Sequence, residues 1–165
     1  MKNKSTIQIL LILLIVGLST ECIIGNTDYS QDEIDEAKTV VCRFYGLLSE
    51  GSYTAASKLF AGDYRFHISC SSDVDPSNHE ALWRAACGRC GLQCLEIREI
   101  EYKSSLLDAG MRFEVKYSTQ DGELFIMWPC CGESEEESPP DSLFHVDVRK
   151  YESGYLVETI PVFIP

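Results

Sequence analysis

The sequence predicts an α+β domain in which N-terminal helices pack on a curved antiparallel sheet. Three observations support this fold class. Apolar residues recur at helical spacing in the first half of the chain, they alternate at strand spacing in the second half, and turn signals separate the later segments. Helices followed by an antiparallel meander are typical of the α+β class.

Residues 1–25 have the layout of an export signal or of an N-terminal membrane anchor. Two lysines precede an apolar run from Ile7 to Leu18, and Glu21 follows closely. The run is shorter than the roughly 20 apolar residues of a spanning helix, which favours a cleaved signal over an anchor. We therefore expect residues 26–165 to form a single α+β domain, secreted or anchored at the outer face of the cytoplasmic membrane.

The composition excludes one class of partner. The 165 residues include 26 acidic and 14 basic side chains, for a formal net charge of −12. Such a surface repels nucleic acid phosphates and anionic lipid headgroups. We expect an unknown small ligand or a protein as partner and no nucleic acid. The N-terminal segment remains a candidate membrane tether.

The first predicted helix has both of its boundaries marked in the sequence. Ser30 and Glu33 have the spacing of a capping box, and Gly51 supplies a left-handed residue at the end. Its apolar positions define one buried face. They are Ile34, Ala37, Val41, Phe44, Tyr45 and Leu48.

Three further segments complete the first half. Ser52 is positioned to cap a short helix that ends at Gly62. The alternation of apolar and polar residues from Tyr64 to Cys70 predicts a half-buried strand. Ser77 and Glu80 repeat the capping-box spacing and predict a helix that ends near Cys87 and Gly88 and contains Leu82, Trp83 and Ala86.

The second half has the pattern of a meander. The Asp121-Gly122 pair is a strong hairpin signal, and the acidic segment 132–141 with its two prolines is typical of a solvated loop. The predicted strands are a long, bulged segment over 95–107, the alternating segment 111–117, Leu124–Trp128, Leu143–Tyr151 and Tyr155–Phe163.

The segment Val40 to Asp63, VVCRFYGLLSEGSYTAASKLFAGD, resembles the nuclear transport factor 2-like superfamily. It has an aromatic-bearing helix, a glycine-centred break, a short helix ending in Leu-Phe, and then Ala-x-Asp. The resemblance implies a cone-shaped α+β fold with a pocket between the sheet and the helices. Some members use that pocket for catalysis, and many are ligand-binding or accessory domains, including exported ones.

The resemblance also bears on catalysis. Phe44 stands where steroid isomerases of the superfamily carry a phenolic donor, and Ile68 lies near their carboxylate base, so that acid–base pair is missing. The sequence also lacks a phosphate loop, a nucleophile elbow and a metalloprotease helix. We expect a non-catalytic binding or accessory domain. The alternative is a pocket enzyme that uses His67 with Tyr45 or Asp63 as acid–base groups.

Four side chains are candidates for lining such a pocket. They are Tyr45, His67, Trp83 and Trp128. His67 lies on the polar side of its predicted strand, and both tryptophans are expected in the core or at the pocket wall. His79 is expected to be exposed in the first turn of its helix.

The cysteines admit three interpretations. Excluding Cys22, they are Cys42, Cys70, Cys87, Cys90, Cys94, Cys130 and Cys131. Export favours structural disulfides, with Cys42–Cys70 as one candidate pair and the 87–94 cluster pairing with residue 130 or 131. Alternatively, Cys87, Cys90 and Cys94 with Cys130 or Cys131 supply the four thiolates of a zinc site. The third interpretation is a redox-active Cys87-x-x-Cys90 pair. It is disfavoured because the pair is predicted to lie at a helix C-terminus, where the helix dipole destabilises a thiolate. We expect no cofactor, with zinc as the alternative.

Overall fold

The computed structural model describes residues 29–129 and 139–164, and these form helices packed on a four-stranded antiparallel sheet. The α+β class is therefore confirmed. The predicted export segment lies outside the described residues, and no helix within them is long and apolar enough to cross a membrane. The elements are α1 (Gln31–Ser49), α2 (Tyr53–Ala56), a 3₁₀ turn (Ser57–Leu59), α3 (Arg65–Cys70), α4 (His79–Arg89), β1 (Glu96–Leu106), β2 (Gly110–Ser118), β3 (Phe144–Tyr151) and β4 (Gly154–Val157).

Helix α1 begins and ends as predicted. The Ser30 hydroxyl accepts a hydrogen bond from the Glu33 amide, and the Glu33 carboxylate accepts one from the Ser30 amide at 3.1 Å. Gly51 follows the helix with a φ of +76°, a conformation that other residues rarely adopt. The apolar face of α1 contacts all four strands, so this helix forms the centre of the core. Its buried residues are Ala37, Val41, Phe44, Tyr45 and Leu48.

The sheet has the order β1-β2-β3-β4, with every neighbouring pair antiparallel. Strand β1 pairs with β2 through two register shifts, which confirms the predicted bulged strand. Strand β2 alternates as predicted, because Met111, Phe113, Val115 and Tyr117 are buried beneath α1 while the residues between them face outward.

The segment predicted as a strand over Tyr64–Cys70 is helix α3, and this prediction was wrong. The Asp63 carboxylate accepts a 2.6 Å hydrogen bond from the Arg65 amide, and the Ile68 amide bonds to the Tyr64 carbonyl at 3.0 Å. Helical geometry reverses the burial that strand alternation predicts for two residues of this segment. His67 is fully buried, and Ile68 is 37% exposed.

The turn at Asp121-Gly122 forms, but the strand predicted to follow it does not. The Gly122 amide bonds to the Thr119 carbonyl at 2.9 Å, and residues 124 and 127 make only isolated bridges. The physical reason lies in the pairing of β2. Its second edge is occupied by β3 as far as Val115, which lies opposite Phe144, so the returning segment bonds only to the end of β2, where the Phe125 amide donates to the Tyr117 carbonyl at 2.9 Å.

Two other boundaries differ from the prediction. The residue that caps α4 is Asn78, whose side chain accepts from the Ala81 amide at 3.1 Å, rather than Ser77. Strand β4 ends at Val157, and the chain then crosses to the turn that follows α4, where the Ile164 amide bonds to the Gly91 carbonyl at 3.0 Å. Gly91 is required there, because a Cβ would lie 2.1 Å from the Ile164 carbonyl oxygen.

Candidate functional site

The four pocket candidates do not share one environment. Tyr45, His67 and Trp83 are fully buried, whereas Trp128 is 59% exposed. The space expected for a pocket between α1 and the sheet holds closely packed side chains, including Phe44 and Tyr45 of α1 and Tyr117 of β2. The structure thus buries three of the four candidates in the core, among them His67, which the predicted strand had placed on its polar side.

His67 is enclosed by aromatic rings. Its ring centroid lies 4.2 Å from that of Trp83, 5.0 Å from that of Tyr64 and 6.1 Å from that of Phe60. We call Phe60, Tyr64, His67 and Trp83 the aromatic box. It forms because Tyr64 and His67 are one helical turn apart and face Trp83 on α4. Phe60 and Tyr64 were not among the pocket candidates, and the strand geometry predicted for Tyr64–Cys70 placed Tyr64 and His67 on opposite faces.

The imidazole of His67 is unusual because neither ring nitrogen has a hydrogen-bond partner among the described residues. Buried polar groups are normally paired, since an unpaired group loses its bonds to water. The pKa of His67 is lowered from 6.5 to about 4, chiefly by burial and in smaller part by His79, while Asp63 partly offsets both. The side chain is therefore neutral at pH 7.

The remaining members of the box are paired. The Trp83 indole nitrogen donates a 3.1 Å hydrogen bond to the Tyr64 hydroxyl. The other face of Tyr64 stacks on the exposed ring of His79, with centroids 4.0 Å apart. Tyr64 therefore connects the buried imidazole to an exposed one.

Tyr45 is sealed in a second part of the core. Its hydroxyl lies near that of Tyr117, but no aligned hydrogen bond to it exists within the described part of the chain. Burial, together with the Tyr117 hydroxyl, raises the pKa of Tyr45 well above its usual value. A phenol in this state holds its proton tightly. Asp63, the other proposed partner of His67, is exposed and bound to Arg65.

The structure pairs the cysteines differently from the sequence prediction. Cys70 is bonded to Cys90 and Cys87 to Cys94, with Cα atoms 6.0 and 5.6 Å apart. Cys42 is exposed and is the free cysteine among the residues described, so the predicted Cys42–Cys70 pair was wrong. The first disulfide joins the end of α3 to the end of α4. The second closes the turn that leaves α4.

The same pairing bears on the zinc alternative. Cys87, Cys90 and Cys94 are all engaged in the two disulfides, which also corrects their predicted pairing with residue 130 or 131. Cys130 and Cys131 themselves lie outside the described residues. Within 29–129 and 139–164, no group of three potential ligands is placed to hold a metal ion.

An open groove of about 650 Å³ runs between α3 and the segment that follows β4. Phe66 and Ile160 give it an apolar floor, and Phe66 also packs edge-on against Phe163 at 5.2 Å. We call this the α3 groove. Its remaining lining residues are polar or charged and are Asp63, Arg65, Ser69, Glu158 and Thr159. Sequence reasoning missed it because its two walls are about 90 residues apart in the chain.

The outer face of the sheet has a different character, because ion pairs cross it. They include Lys116–Glu99 at 2.7 Å and a two-point Arg112–Asp147 contact with both bonds at 2.7 Å. Together with Lys103–Glu114 and Arg149–Glu158, these pairs form what we call the ion-pair ladder.

The fold and the site together define a disulfide-containing α+β domain with a filled aromatic core and an open, mixed-polarity groove. No known protein family, curated protein or solved structure matches the chain.

Proposed function

We propose that this protein is an exported, non-catalytic binding or accessory domain that is stabilised by disulfides. The observation that carries the proposal is that none of the three acid–base candidates, Tyr45, His67 and Asp63, is available to a substrate. Tyr45 and His67 are fully buried in a packed core, and Asp63 is bound to Arg65 at the surface. In this arrangement a substrate cannot reach the two interior groups, so the pocket-enzyme alternative lacks an accessible site.

Two observations support the expected compartment. Disulfides form and persist mainly outside the cytoplasm, and the described residues contain two of them. The sequence before residue 26 has the layout of an export segment. We accordingly propose that the domain is secreted or held at the outer face of the cytoplasmic membrane.

We also propose that the fold belongs to the nuclear transport factor 2-like class. The support is the arrangement of a long helix across an antiparallel sheet, a break at Gly51 and a short second helix. In this chain aromatic side chains fill the space that the resemblance assigns to a pocket. Binding is therefore expected at the surface rather than inside.

The α3 groove is the surface that best fits a ligand or a partner segment. Its volume of about 650 Å³ lies in the range of small-molecule sites. The apolar Phe66 and Ile160 can bury a hydrophobic group, while Arg65 and Glu158 at the rim can orient a polar one. The ligand class that follows is an amphipathic small molecule or an extended peptide segment.

Two measurements test the proposal. The intact mass of the protein exported by its host, without reduction, should be that of a chain shortened near residue 25 that lacks at least the four hydrogens of the two described disulfides. A full-length, reduced protein that carries a metal would contradict it.

The second measurement screens amphipathic fragments and peptides by NMR against the oxidised protein. We expect binders to shift signals of Phe66 and Ile160. Phe66→Glu should abolish those shifts, and Leu143→Glu, at an exposed position on the sheet side, should retain them. Binding that survives Phe66→Glu would exclude the α3 groove as the site.

A further inference from the structure

We infer that α3 is an acid-released flap, which opens when His67 takes up a proton and which the Cys70–Cys90 disulfide keeps tethered. The geometry around the imidazole points to this motion. His67 is fully buried, both of its ring nitrogens lack partners among the described residues, and the rings that surround it offer no carboxylate. A charged imidazole is strongly disfavoured in that position without water or an anion.

The groups that face His67 do not relieve the charge. Phe60 and Trp83 are apolar walls, and the Tyr64 hydroxyl accepts the indole hydrogen bond. Asp63 attracts a proton on His67, but its carboxylate is already bound to the Arg65 side chain and amide. His79, stacked on Tyr64, opposes a proton on His67.

Opening at α3 requires little disruption. The helix has six residues, four of which are exposed, and its buried contribution is His67 itself with partial burial of Phe66. Short elements with few buried contacts open locally at low free-energy cost. The disulfide from Cys70 to Cys90 limits the motion to a hinge at the C-terminal end of α3.

The opened state differs from the closed one in two respects. It exposes Phe60 and Trp83, which are buried in the closed box. It also separates Phe66 from Ile160 and Phe163, so the α3 groove is dismantled. If the groove is the binding site, acid releases its ligand, but the opening itself does not depend on that proposal.

Thermodynamic linkage between proton binding at His67 and the opening of α3 gives the expected change of the open population with pH. The pKa of His67 is about 4 in the closed state and returns towards 6.5 when the ring meets water. The open population then rises by up to tenfold for each pH unit between these two values as the pH falls. From pH 6.5 to pH 4.5 we expect an increase of about fortyfold, because the change levels off near each of the two pKa values.

Hydrogen exchange of the oxidised full chain tests the flap, with rates corrected for the intrinsic pH dependence. Protection of residues 65–70 should fall by about fortyfold between pH 6.5 and 4.5, and these amides should exchange faster than those of β2 at both pH values, as local opening requires. His67→Phe should remove the pH dependence of α3, and His145→Gln, at an exposed strand position, should keep it. Constant protection of α3, or an equal loss in His67→Phe, would overturn the inference.

A titration of the histidine side chains by NMR needs no variant, so it tests the flap even if His67→Phe does not fold. The His67 ring should stay neutral down to about pH 5 in the closed state. A His67 ring that protonates at its ordinary value with α3 still protected would contradict the flap.

Discussion

The helical layer and the outer face of the sheet are stabilised by opposite means. The helices meet in the aromatic box, the Cys70–Cys90 disulfide joins the end of α3 to the end of α4, and Cys87–Cys94 closes the turn that leaves α4. The outer sheet face is joined by the ion-pair ladder and is open to water. Buried apolar contacts act cooperatively and at full strength, whereas exposed ion pairs are weakened by water and salt. The difference predicts that sensitivity to mutation, reduction and acid is concentrated in the helices.

The largest effect should come from the centre of the box. Trp83→Ala removes a fully buried indole and the hydrogen bond to Tyr64, and should lower the free energy of unfolding by about 3 to 5 kcal/mol in urea titrations. Trp128→Ala, at a side chain that is 59% exposed, should change it by less than about 0.5 kcal/mol. Equal losses in the two variants would refute the contrast between core and surface.

Reduction should affect the helical layer next. The Cys70→Ser/Cys90→Ser double variant opens a loop with a separation of 20 residues and should lose roughly 3 kcal/mol. Cys87→Ser/Cys94→Ser opens a separation of only 7 and should lose about 2 kcal/mol. Urea unfolding of both oxidised variants gives the comparison. A larger loss in the second variant would show that loop entropy does not control how much each disulfide stabilises the fold.

Acid should destabilise the helical layer through His67. Its pKa is lower in the folded state than the ordinary 6.5, so the unfolded chain binds the proton more tightly. The contribution of His67 to stability is therefore present in full above pH 6.5 and is lost as the pH drops through about 4, by on the order of 3 kcal/mol. Unfolding free energies measured at several pH values should show this slope in the native chain. The slope should be shallower in His67→Phe, and an unchanged slope there would exclude His67 as its source.

The smallest effect should come from the ion-pair ladder. Arg112→Ala breaks the two-point contact with Asp147 at the surface and should cost at most about 1 kcal/mol. A double-mutant cycle with Asp147→Ala isolates the pair, and its coupling should shrink in roughly 1 M salt. A coupling that exceeds the loss in Trp83→Ala would reverse the comparison.

The sequence predicted the elements whose signals are local. The capping box at Ser30 and Glu33, the left-handed Gly51 and the alternation along β2 each depend on residues a few positions apart, and all are present in the structure. The candidate site was less predictable. Tyr45 and Trp83 were expected to be in the interior, but the assignment of strand geometry to Tyr64–Cys70 put His67 on the wrong face.

There is a physical reason why some elements were predictable from the sequence and others were not. Apolar spacing and capping residues determined that helices come first, that α1 has one buried face and that an antiparallel sheet follows. Only the tertiary structure decided that α3 is helical, that His67 enters the aromatic box and that Cys70 is bonded to Cys90. These outcomes depend on contacts between segments about 20 residues apart or more, and such contacts are set by packing of the whole chain rather than by local spacing.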